Sequence, residues 1–156
     1  MTRFFDLDEA NATLPEVRTI LESLRDERAE LIRLRDRVVE QQDPEEAPTE
    51  APTEAKVTGK GRPANTTRAE GTTTDAELRV LRLRMQGVID QMQAGVARID
   101  ELGITLREIE TGLIDFPALA SGRQIWLCWR LGEDDVAWWH ELAEGFGNRH
   151  ALADLT

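Results

Sequence analysis

Arg123-Gln-Ile-Trp-Leu-Cys-Trp-Arg-Leu-Gly-Glu-Asp-Asp-Val-Ala-Trp-Trp-His140 is the stretch on which the fold turns. It carries all four tryptophans, the single cysteine and one of the two histidines of a chain poor in aromatics. Alternating apolar residues on either side of Gly132-Glu-Asp-Asp135 predict a β-hairpin with those four residues as its loop. Pairing Leu131 with Val136 sets Trp129 opposite Trp138, Leu127 opposite His140 and Cys128 opposite Trp139. Side chains alternate faces along a strand. One face then holds Ile125, Leu127, Trp129, Leu131, Val136, Trp138, His140 and Leu142. The other holds Gln124, Trp126, Cys128, Arg130, Ala137, Trp139 and Glu141.

This register separates thiol from imidazole. Cys128 has no base in reach and reads as a buried, inert residue, and His140 as a core histidine. There is no CxxC and no HxxxH, so zinc spacing is absent. The expectation is no metal, no cofactor and no catalytic residue. A one-residue slip reunites Cys128 and His140, at the expense of the apolar face. Trp126 and Trp139 on the mixed face suit ordinary core, a protein interface or a ligand platform. Asp115 is either a carboxylate near that face or the cap of the Phe116-Pro117 turn.

Upstream of the hairpin, Gly112-Leu-Ile-Asp-Phe-Pro117 predicts a short strand ended by proline, and Ser121-Gly122 a turn. Ile104-Thr-Leu-Arg-Glu-Ile109 reads as a strand or as a short helical continuation. The tail around Arg149 and His150 reads as irregular.

Two helices precede this region. Leu78, Leu81, Met85, Val88, Met92, Gly95, Ile99 and Leu102 alternate spacings of three and four without a slip, with Ile89 and Val96 widening the stripe. Thr74-Asp-Ala-Glu77 is a capping-box pattern that predicts the start of this helix, and Gly103 falls where a C′ glycine belongs. Val17, Leu24, Leu31 and Val38, seven apart, mark a partner helix over about 15–42. Pro15 suits a first turn, so a short helix capped by Asp6 or Asp8 and a break near Thr13-Leu14 are expected before it. The two rods are predicted to pack antiparallel as in a coiled coil, with Gly95 allowing close approach. Residues 43–74 form a linker whose Glu-Ala-Pro-Thr repeat and small basic island predict disorder.

The chain of 156 residues is read as one α+β domain, a long antiparallel helical hairpin packed with a small antiparallel sheet over 104–149. A net charge of −11 argues against nucleic-acid or anionic-membrane binding. No apolar run approaches a membrane span or a signal peptide, so the expected location is cytoplasmic.

Asp8-Glu-Ala-Asn11 with Leu14-Pro15, Gly112-Leu-Ile-Asp-Phe-Pro117, Leu127-Cys-Trp129, Gly132-Glu133 and Trp139-His140 together resemble a small bacterial family defined as domain of unknown function 2203. The resemblance covers both ends of the chain and omits the linker. It implies a soluble cytoplasmic bacterial protein without an assigned activity, so no catalytic residues carry over. Two function classes stand. One is a non-enzymatic interaction module that self-associates, as a dimer, through its helices or takes another protein partner. The other is a small-molecule-binding protein or enzyme whose pocket lies between sheet and helices, drawing on Asp115, Trp126, Trp139, His140, Glu141 and Arg149. The first is favoured because no nucleophile–base pair or phosphate loop appears.

Overall fold

The computed structural model describes residues 2–42 and 66–155, with no side-chain description over 66–74. Most of the expected linker lies outside the described residues. Its last part, from Thr66, is helical rather than linker.

Two helices, α1 (Leu7–Gln42) and α2 (Thr66–Glu101), precede five strands: β1 (Thr105–Glu108), β2 (Leu113–Ala120), β3 (Arg123–Arg130), β4 (Trp138–His140) and β5 (His150–Ala151). The strands form one antiparallel sheet in chain order. The architecture is the expected α+β. The chain divides into two compact units, one of Met1–Glu30 with Val88–Thr156, the other Leu31–Gly87.

In the first unit α1 starts at a reciprocal cap. Asp6 Oδ1 accepts from the Glu9 N–H at 2.8 Å, and Glu9 Oε2 accepts from the Asp6 N–H at 3.1 Å. The expected break near Thr13-Leu14 does not occur; α1 runs unbroken through Pro15. Ala10, Leu14 and Val17 are at most 2% exposed, and this packing holds the helix across the hydrogen bond that proline cannot make. Likewise α2 does not start at Thr74, because the backbone before it is already helical.

Gly95 meets α1 closely: a Cβ there would lie 3.0 Å from Leu24 Cδ2 and 3.6 Å from Ile20 Cγ2. Arg98 bonds Glu16 at 2.7 Å. Residue numbers rise along one helix as they fall along the other, so these segments run antiparallel. Gly103, at φ +83°, ends α2, with its N–H on Asp100 O and that of Ile104 on Ile99 O.

One face of the sheet, Ile114, Phe116 and Ala118 of β2 with Ile125, Leu127 and Trp129 of β3, closes a core with Phe5, Leu14, Val17, Leu21, Leu24 and Ile99. Phe5 and Phe116 meet edge to face at 5.1 Å. Pro117 does not end β2 as expected. Its carbonyl accepts from the Phe5 N–H at 2.7 Å on the outer edge. Backbone N–H and C=O of one strand residue point the same way, so the missing donor costs the β2–β3 ladder nothing. Gly112, at φ +67°, lets the chain pass Leu131, whose Cβ would stand 2.5 Å from any Cβ built there.

In the second unit both segments are helical, with Leu34 and Leu81 buried and Val39, Val80 and Leu83 exposed. No helix among the described residues is long and apolar enough to cross a membrane.

Candidate functional site

The hairpin register differs from expectation by one residue. Trp126 pairs with His140, Leu127 with Trp139 and Cys128 with Trp138. The cause lies in residues 131–137, which make a connection pinned to α1 instead of a four-residue turn. The Val136 N–H donates to Asn11 Oδ1 at 2.8 Å, Arg18 reaches the carbonyls of Glu133 and Asp134, and Trp129 Nε1 donates to Asp134 O at 2.9 Å. Val136 therefore enters the core as a loop residue. The slip does not wreck the apolar face, because Trp139 takes the place facing the helices that Trp138 and His140 were expected to share.

One consequence is that Cys128 and His140 stand on the same face, away from the helices. Asp115 joins them, since it pairs directly with Cys128 across β2 and β3. All three are at most 2% exposed. His140 Nε2 lies 3.0 Å from both carboxylate oxygens of Asp115. His140 Nδ1 lies 2.9 Å from the carbonyl of Glu141, which only accepts, so Nδ1 carries a proton. Arg107 Nε donates to Asp115 Oδ2 at 2.9 Å; its strand is bulged between Leu106 and Glu108, leaving Arg107 unpaired in the ladder. Ligand-capable atoms of Asp115, Cys128 and His140 all lie within 4.8 Å of one another. Of the two reasons for expecting no metal, the placing of thiol and imidazole on opposite faces therefore falls, while the absence of CxxC and HxxxH spacing stands.

Above this cluster is a cavity of about 260 Å³, walled by Leu113, Leu142, Glu144, Gly145 and Phe146. It opens on the side of the sheet away from the helices, not between sheet and helices as expected. Glu144 is held by the His150 ring and by the Glu141 N–H.

The other residues singled out in the sequence go elsewhere. Trp126 shares the cluster's face but lines a neighbouring cavity of about 430 Å³ with Arg3, Thr105, Pro117 and Gln124, and Arg107 sits 4.9 Å over its ring. Trp139 is on the opposite face from Trp126 and lies against the His150 ring at 4.8 Å. Glu141 is committed to Arg123, whose hydrogen bonds hold its carboxyl below the usual range. Arg149 donates to both oxygens of Glu133 at 2.8 and 2.9 Å and stacks on Trp138 and Phe146. The tail it belongs to is not wholly irregular, since β5 adds a short edge strand. Arg107, Glu144 and Phe146 are the site residues that sequence reasoning missed, and Cys128 is the one it weighed and set aside as inert. The available signal was Asp115 itself, a carboxylate amid apolar residues of a strand, which demands a buried partner.

The Cys128 thiol is pushed up to about 12, chiefly by burial and next by the Asp115 charge, with Arg149 opposing. A thiol raised above its ordinary value of 9.0 favours the fold while protonated. Without a bound cation, stability is expected to be intact below about pH 9 and to fall as pH rises toward 12. Iodoacetamide at neutral pH is expected to label native Cys128 far more slowly than the urea-unfolded chain, with mass spectrometry as the readout. Equal rates would show the thiol to be exposed or activated.

The chain belongs to the family of uncharacterised conserved proteins DUF2203, whose family model matches residues 3–152. No curated protein and no solved structure matches it.

Proposed function

We propose that the protein is a small-molecule-binding protein whose site is the cavity above Asp115, Cys128 and His140. One observation carries this reading: a buried cluster of ionisable groups forms the floor of an open cavity, where a merely structural sheet face would be apolar. Buried ionic groups cost desolvation and are a weak source of stability, and their concentration in a cleft marks candidate sites. The cavity, about 260 Å³, falls just below the roughly 300–1,000 Å³ of ordinary ligand pockets. A fitting ligand is compact, with a polar head toward Arg107 and an apolar body against Leu113, Leu142 and Phe146. Covalent catalysis by Cys128 is disfavoured, since both nitrogens of His140 are engaged elsewhere.

Nuclear magnetic resonance with a library of small polar fragments tests this. Amide shifts are expected to cluster at Leu113, Leu142 and Phe146. Arg107→Gln is expected to weaken the best fragment by about tenfold or more, the worth of one charge-assisted hydrogen bond. A library that perturbs no residue of the cavity would sink the proposal.

Self-association through the helices is the second reading. It is supported by Val39, Val80 and Leu83, exposed by 52%, 56% and 74% on the Leu31–Gly87 unit. Light scattering across a concentration series decides it, a constant monomer mass counting against it.

A further inference from the structure

We propose that Asp115, Cys128 and His140 bind one divalent transition-metal ion, zinc before others. The inference rests on the reading of the outer-face cavity as the site and adds what occupies its floor.

A carboxylate oxygen, a thiolate sulfur and an imidazole nitrogen are the donor types zinc takes, at about 2.0–2.3 Å. Tetrahedral geometry with those bonds sets donor atoms roughly 3.3–3.7 Å apart. The three donors here lie within 4.8 Å of one another, and Nε2 stands 3.0 Å from Asp115. The sulfur must close by at most roughly 1.1–1.5 Å and the imidazole–carboxylate contact must open by a few tenths, movements that rotations about side-chain bonds supply. The donors come from three adjacent strands, β2, β3 and β4, a frame rigid enough to fix their spacing.

Two donors already have the outer partners that metal ligands need. The Glu141 carbonyl holds the Nδ1 proton of His140 and so aims Nε2 into the cluster. Arg107 holds Oδ2 of Asp115 and leaves Oδ1 to the ion. Without an ion, Arg107, the His140 ring and the Cys128 thiol all converge on one carboxylate. On binding, the thiol proton and the proton shared between Nε2 and the Asp115 carboxylate leave to solvent, and three metal–ligand bonds form in their place. The fourth position faces the cavity, open to water or to a ligand's head group, as in sites that keep one position free. Thiolate and imidazole together select against magnesium and calcium, which prefer oxygen donors.

The test uses the full chain without an affinity tag, stripped by chelator and titrated with Co(II). Because the sequence holds one cysteine, a thiolate-to-cobalt charge-transfer band in the near ultraviolet reports Cys128 alone. A band saturating at one ion per chain, and removed by equimolar Zn(II), is the expected result. Cys128→Ser is expected to abolish the band, and His140→Gln to weaken Zn(II) binding by more than the 10–100-fold typical of outer-partner loss. Folding of both variants is checked by circular dichroism, and the wild-type spectrum is decisive whether or not they fold. No saturable band in the folded wild type, or a band that survives in Cys128→Ser, overturns the inference. Fragment shifts at the cavity without a cobalt band would leave the small-molecule reading standing and remove only the metal. A cobalt band without fragment shifts would do the reverse.

Discussion

Asp115→Ala is expected to destabilise the protein by about 3–5 kcal/mol, the typical result of removing one member of a buried ionic cluster. Asp115 is 2% exposed and faces three donors. Deleting it leaves the His140 ring without its Nε2 partner inside the sheet, while Arg107, partly exposed, turns to water. Urea unfolding followed by circular dichroism measures the loss. The informative companion is the double replacement Asp115→Leu with His140→Leu. Apolar residues of similar size in place of a buried ion pair are often neutral or stabilising. The double variant is therefore expected to recover most of the loss while abolishing ligand and metal binding. A double variant at least as unstable as the single one would show that the cluster holds the sheet together and is not kept for binding.

Trp129→Ala carries the next largest expected effect, about 3–5 kcal/mol for truncating a wholly buried aromatic. Trp129 is 0% exposed, packs in the core between sheet and α1, and fixes the 131–137 connection through its bond to Asp134. Trp129→Phe keeps most of the volume and loses that bond, so a cost nearer 1–3 kcal/mol is expected. Trp138→Ala, at a residue 37% exposed, is expected to cost less than Trp129→Ala. Equal losses at Trp129 and Trp138 would contradict the observed burial. Since Trp129 anchors the connection that sets the β3–β4 register, Trp129→Ala is also expected to reduce Co(II) binding if the metal inference holds.

Much of the fold was legible because its signals are local. The run from Leu78 to Leu102 marks the packed side of α2 by spacing alone, and each of those positions is buried or half-buried. Gly103 and the Ser121-Gly122 turn are positions where backbone conformation restricts residue type, so they too could be read directly. Pro15 misled for the same reason. Its local preference is a helix start, and only the burial of Ala10, Leu14 and Val17 overrides it.

The site was not legible, because it depends on one residue of register. Asp115 and His140 were candidates, and Asp115 meets Cys128 across the β2–β3 pair, yet what brings His140 to them is the length of the 131–137 connection. That length is set by Asn11 and Arg18, more than a hundred residues away in sequence. The sequence by itself determined two amphipathic helices, an antiparallel sheet after Gly103 and an apolar surface for each to share, since periodicity dictates which side must leave water. Tertiary structure alone decided which face His140 takes. A strand alternates its sides with every residue, and contacts from α1 fix where the alternation restarts.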